Sequence, residues 1–132
     1  MNYWLVKQEP GTYSFDDLRR EGKTDWSGVR NYQARNNLLA MKKGDKVLFY
    51  HSGDVKSVVG TASVSKPSFP DPTDTAWFAV EIAAGKTLKK PVSLAAVKSN
   101  LALKDIALVK NSRLSVSPLT KDEYDEIISM AS

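Results

Sequence analysis

The residues of WSGVRNYQARNN, numbers 26–37, bring one tryptophan, two arginines and three asparagines together behind a glycine turn. Tryptophan offers a plane for stacking, arginine a forked cation that suits phosphate, and asparagine a paired donor and acceptor. This is chemistry for holding a planar, anionic ligand rather than for making or breaking bonds. Trp26, Gly28 and Arg30 precede a helix expected at about 30–41, where unpaired backbone N–H groups and the helix dipole favour an anion. Asparagine is a mediocre helix former, so polar groups on this helix must find partners. For Trp26, Arg30 and Asn31 a ligand is the better account; for Asn36 and Asn37 we expect bonds to neighbouring loop carbonyls that pin the helix.

Other reactive chemistry is scarce. The 132 residues contain no cysteine and a single histidine, His51, which excludes disulfides, thiolate catalysis and the usual Cys or His metal sites. No acid stands at a spacing that would make a triad with His51, so no catalytic residue is assigned. Phosphate-binding glycine loops, a nucleophile elbow and zinc-protease motifs are absent, and no pair of acids suggests glycosidase or metal chemistry. Neither a metal nor a cofactor is expected. The net charge is +4, and four of the fifteen acids fall at 122–126, leaving 18 basic against 11 acidic groups over residues 1–120. That bias suits an anionic partner, but also an ordinary solvated basic surface.

The chain is the size of a single domain, 1–132, with one core. NYWLVKQ reads as a strand closed by EPG, with Lys7 and Glu9 past its apolar part. Ser14 and Asp17 form a capping box opening a two-turn helix that Gly22 ends. In the polar helix Ala34, Leu38 and Met41 make a core stripe, with Asn31 and Arg35 on the adjoining ridge. KKGD then turns into KVLFYHS, a strand with Leu48, Tyr50 and Ser52 on one face and Phe49 and His51 on the other; SGDV makes a hairpin to SVVGTASVS. PSFPDPTDT, 67–75, reads as the longest loop, followed by a strand AWFAVEI that LKKPVSL extends. Ser93 caps a short helix, 101–110 suggest a further turn, RLSVSP a strand, and Thr120 with Glu123 a second capping box at a terminal helix. Trp4 is expected in the core. Five or six short strands with irregularly placed helices suit an α+β fold with a small, strongly curved or barrel-like sheet rather than a doubly wound one. No apolar run is long enough to span a membrane, and the N-terminus does not resemble a secretory leader; an intracellular, soluble protein is expected.

Read together, YWLVKQEP, WSGVRNYQARN, GDKVLFYHS, VVGTASV and RLSVSP closely resemble the EVE domain, a family of the PUA-like superfamily that includes thymocyte nuclear protein 1-like proteins. The resemblance spans nearly the whole chain. It implies a curved, barrel-like mixed β-sheet with short helices packed around it, and a pocket similar to the aromatic cage of YTH domains. It implies a non-catalytic module that takes a flipped, modified nucleobase of DNA or RNA, in the cytoplasm of a prokaryote or the nucleus of a eukaryote. By position, Trp26 and Ser27 resemble the tryptophan and serine of a cage wall, Lys7 a lysine after the first strand, and Asn31 a polar residue at the start of the helix. Tyr50, His51 and Ser52 end the central strand, and Trp77 is the candidate second wall. Arg30, Arg35, Lys42 and Lys43 would hold flanking phosphates, in a salt-dependent way. The competing expectations are a hydrolase or nuclease working through Glu9 or His51, and a protein interaction module with a basic face.

Overall fold

The computed structural model describes residues 1–111 and 113–132. In chain order they form β1 (Tyr3–Gln8), α1 (Phe15–Glu21), β2 (Lys23–Trp26), α2 (Tyr32–Ala40), β3 (Lys46–His51), β4 (Ser57–Asp71) and β5 (Asp74–Ser93). There follow α3 (Leu94–Ser99), a 3-10 turn (Leu101–Leu103), α4 (Ala107–Lys110), β6 (Val116–Leu119) and α5 (Lys121–Met130).

The six strands make one mixed sheet in the order β2-β5-β4-β3-β1-β6. Only the β1–β3 pair is parallel among the described strands, and β2 and β6 remain as free edges, so the expected barrel-like sheet is an open one. Strand alternation gives the sheet two apolar faces. On one, Trp4, Val6, Val47 and Phe49 pack with Phe15 and Leu18 of α1 and with Ala34 and Leu38 of α2. On the other, Leu5, Leu48 and Tyr50 pack with Val97, Leu103, Leu108 and Ile127 from the later helices. Trp4 is buried as expected, and its indole Nε1–H donates to the buried Asp45 carboxylate at 2.9 Å.

Three helices begin at the caps the sequence marks, Ser14, Ser93 and Thr120, whereas α2 starts at Tyr32 with Asn31 as its cap rather than on its ridge, and α4 has no side-chain cap. Ser14 and Thr120 form complete capping boxes, and the side chains of Asn31 and Ser93 accept the Ala34 and Ala96 N–H groups. Two segments differ from expectation. Lys23–Trp26, which carries no distinctive pattern, is an edge strand paired with Ala83–Val80 of β5. PSFPDPTDT is not a loop: β4 runs on to Asp71 and β5 starts at Asp74, leaving only Pro72 and Thr73 between them. The prolines are accommodated because the β4–β5 pairing shifts register between Lys66 and Phe69 and again at Pro70, where missing ladder bonds matter least. The long hairpin thereby reaches α2, and its far end supplies the residues that fix the site.

Candidate functional site

Trp26 ends β2, and the chain then turns through Ser27 and Gly28 toward α2. Gly28 has φ +79°, a left-handed conformation that a side chain would strain. Its N–H donates at 2.8 Å to Asp71 Oδ2 in the hairpin, and Arg30 Nη1 donates to the same oxygen at 3.1 Å. Asp71 Oδ1 accepts from the Thr73 N–H at 2.7 Å and the Thr73 hydroxyl at 2.6 Å, while Arg30 Nη2 reaches Thr73 Oγ1 at 3.0 Å. Asp71 is completely buried, which would raise its pKa; the four donors around it outweigh burial and hold the carboxyl far below its ordinary value. This residue, hidden in the proline-rich segment, clamps the turn after Trp26 to the sheet.

Two neighbouring clefts share Trp26 in their lining. A cavity of about 250 Å³ is lined by Gln8, Tyr13, Thr24, Asp25, Trp26 and Ser27. A second, of about 350 Å³, is lined by Lys7, Gln8, Trp26, Ser27, Gly28, Val29, Arg30, Asn31 and Ser115. Gln8, Trp26 and Ser27 border both, so the two are lobes of one groove. Trp26 is only 6% exposed, and its ring stands edge-on to Phe49 with centroids 5.4 Å apart at 85°. It is therefore a fixed wall rather than a mobile flap. Asn31 uses Oδ1 as the α2 cap, bonding Ala34 N–H at 2.9 Å, so its Nδ2 amide is the part left to face a ligand. Ser27 is exposed at the mouth. Lys7 is half-buried, which lowers its pKa, and its ammonium lies 5.8 Å from the Tyr50 ring.

Trp26, Ser27, Asn31 and Arg30 thus come together, and Lys7 borders the second lobe while its ammonium lies toward Tyr50 on the other face of the sheet. Others do not. Tyr50 lies on the opposite face of the sheet, buried with Leu5 and Val58. His51 Nε2 accepts the Phe15 N–H at 3.0 Å, and burial lowers its pKa, so the imidazole is a neutral acceptor engaged with α1. Ser52 belongs to a separate depression with Glu9, Gly53 and Asp54. Lys42 and Lys43 follow the far end of α2, a helix of nine residues and so about 14 Å long, away from the groove. Trp77 lines neither lobe; it stacks on Tyr32 with centroids 5.0 Å apart, next to Arg30 and Arg35. Asn37 pins α2, but to a strand rather than a loop carbonyl: its Nδ2 donates to Val116 O of β6 at 2.7 Å.

Gln8, Tyr13, Thr24, Asp25, Val29, Ser115 and Asp71 were not singled out by the sequence. For Gln8 a signal existed: period-two alternation from Trp4 through Val6 puts it on the Trp26 face.

Residues 2–130 match the EVE domain family. The chain belongs to that family. This EVE domain is 34% identical to mouse thymocyte nuclear protein 1 over 98% of its own length and 73% of the relative's. Among solved structures, a protein of Agrobacterium tumefaciens superposes on the EVE domain with a TM-score of 0.97 at 46% identity, covering 100% of this chain and 94% of that one. Human THYN1 in complex with 5-methylcytosine-containing DNA superposes with a TM-score of 0.92 at 31% identity, covering 100% and 98%. The fold is accordingly the PUA-like α+β arrangement that the sequence resemblance implied.

Proposed function

We propose that this EVE domain is a non-catalytic reader of a modified base in DNA, and that the flipped base enters the groove beside Trp26. The observation that carries the proposal is the groove itself: an aromatic wall packed edge-on against Phe49, followed by a turn that Asp71 clamps, with polar groups of Gln8, Ser27 and Asn31 around it. An extruded base needs a plane to lie against and donors and acceptors along its edge. Stacking on an aromatic side chain stabilises a bound base by roughly 1–3 kcal/mol. Val29 adds apolar surface in the second lobe, where a methyl group on the base would gain about 0.8 kcal/mol from burial. That gain is small, so the preference for a modified base comes chiefly from polar edge groups that the wrong base leaves unpaired. DNA carrying 5-methylcytosine is the first ligand to consider, because the human relative was solved with it.

The hydrolase reading finds less support. Its candidate base, His51, is occupied by the Phe15 amide, and Glu9 sits in a different depression from Trp26.

The test compares 5-methylcytosine and cytosine oligonucleotides, single- and double-stranded, with RNA counterparts, against the native protein and Asn31→Asp. Aspartate keeps the helix cap but replaces the Nδ2 donor by a carboxylate. Tighter binding of a modified DNA, reduced by at least fivefold in Asn31→Asp with an unchanged melting temperature, is the expected result. Equal affinity for modified and plain strands in every format would rule the reading out, and preference for RNA would correct the polymer.

A further inference from the structure

Beside the groove lies a second cluster that the base-binding reading does not use. Tyr32, the first residue of α2, is 69% exposed, the most exposed aromatic ring among the described residues. Its ring is not loose: it lies against Trp77 of β5, centroids 5.0 Å apart and planes inclined by 34°. Arg35, one turn along α2, places its guanidinium carbon 5.7 Å from the Tyr32 ring, 5.7 Å from Trp77 and 5.4 Å from Phe78. Its Nε is buried without a hydrogen-bond partner, and Arg35 forms no ion pair among the described residues. Arg30 differs, since Asp71 balances its charge; its guanidinium carbon lies 5.5 Å from Trp77, and the residue also borders the groove.

We infer that Tyr32, backed by Trp77 and flanked by Arg35, is a stacking platform for the nucleotide adjoining the one held at Trp26, with Arg35 meeting the phosphate between them. This rests on the base-binding reading above. Tyr32 directly follows Asn31 of the groove lining, and consecutive Cα atoms are about 3.8 Å apart, so a strand leaving the groove past Arg30 meets Tyr32 next. An exposed ring backed by a second ring loses little freedom when a base lies on it, and base stacking is tolerant of sequence because every base has a π-face. An unbalanced guanidinium beside that ring complements a phosphate, whereas it gives no reason for an apolar partner.

The experiment uses a single-stranded 5-methylcytosine oligonucleotide with 2-aminopurine placed on one or the other side of the modified base, and a matching strand with abasic flanks. On binding, 2-aminopurine fluorescence should be quenched on one side. Tyr32→Ala should abolish the quenching and weaken binding about tenfold, Tyr32→Phe should restore both, and Tyr32→Ala should change nothing when the flanks are abasic. Arg35→Ala should weaken the intact and the abasic strand alike. Unquenched 2-aminopurine on both sides, with native affinity for Tyr32→Ala, would overturn the platform even if the preference for 5-methylcytosine is present. Tyr32-dependent quenching that is identical for plain cytosine would uphold the platform and sink the reading at Trp26. Failure to bind any strand would overturn both, and a change of oligomeric state in Tyr32→Ala would replace the nucleotide by a second copy of the chain.

Discussion

Trp26 serves the fold and the groove at once, and the two demands set how it can be tested. At 6% exposure its ring is part of the packing around Phe49 as much as a wall for a ligand. Trp26→Ala should therefore lose about 3–5 kcal/mol of stability along with any binding. Trp26→Phe keeps an aromatic plane and should fold, so binding to it, measured below its own melting temperature, isolates the wall's role. Asp71 is the other residue on which the groove depends. Asp71→Ala leaves the Gly28 N–H, the Thr73 groups and Arg30 without their acceptor, and should cost about 2–4 kcal/mol by denaturant unfolding. His51 gives a pH signature. Burial lowers its folded pKa below the ordinary 6.5, so the unfolded chain binds the proton first as pH falls. Its contribution is complete above pH 6.5 and is lost progressively on acidification below that value, as protonated Nε2 can no longer accept from Phe15. His51→Gln should flatten the pH dependence of stability between about pH 7.5 and 5.5 in denaturant titrations.

The elements show where a close approach restrains the sheet. A Cβ on Gly60 of β4 would fall 2.2 Å from Phe15 Cζ, and the Phe15 ring is itself backed by Phe49 at 5.5 Å. Gly60→Ala should destabilise by about 1–3 kcal/mol in thermal or denaturant melts, through overpacking of α1 against the sheet. The elements also show what a sequence can reveal. Capping signals are local chemistry, and Ser14, Ser93 and Thr120 were legible because a helix start is favoured by a side-chain acceptor within three residues; the same role of Asn31 was not read. The Ala34, Leu38 and Met41 stripe was legible because burial repeats with the helical turn. β2 was not, since an edge strand of four residues with only Trp26 buried has no alternation to read. Nor was the far half of the β4–β5 hairpin: prolines ordinarily end strands, and only the paired register shifts reconcile Pro67 and Pro70 with pairing. Asp71 was missed for the same reason, as an acid among prolines reads as turn chemistry until the hairpin is seen to reach Gly28. Trp26 and Asn31, which line the groove, stood out because aromatic and amide groups beside a glycine turn are unusual in composition. Tyr50 and His51 do not line the groove, because nearness along β3 says nothing of which face, or which neighbouring helix, engages a side chain.

At the scale of the whole molecule, one open sheet separates two cores, and the groove lies at the margin of the core that α1 and α2 cover. Charge is distributed to match, though loosely: the net charge is +4, but Asp71 already balances Arg30, and Lys42 and Lys43 lie beyond the other end of α2. Binding of a short single strand should therefore weaken with salt with a shallow slope, about two phosphates' worth, near −1.4 in log K against log salt concentration. Arg35→Ala should reduce that slope by about 0.7, whereas Lys42→Ala with Lys43→Ala should leave it unchanged for strands of three or four nucleotides. No helix among the described residues is long and apolar enough to cross a membrane. The measurement that bears most directly on a base seated at Trp26 is a backbone and indole NMR titration with a short 5-methylcytosine strand. Saturating shifts of the Trp26 indole N–H, Gln8, Ser27, Gly28 and Asn31, larger than with the unmethylated strand, are expected for a base in the groove. Shifts that leave Trp26 and its neighbours unmoved while binding proceeds elsewhere on the surface would contradict it.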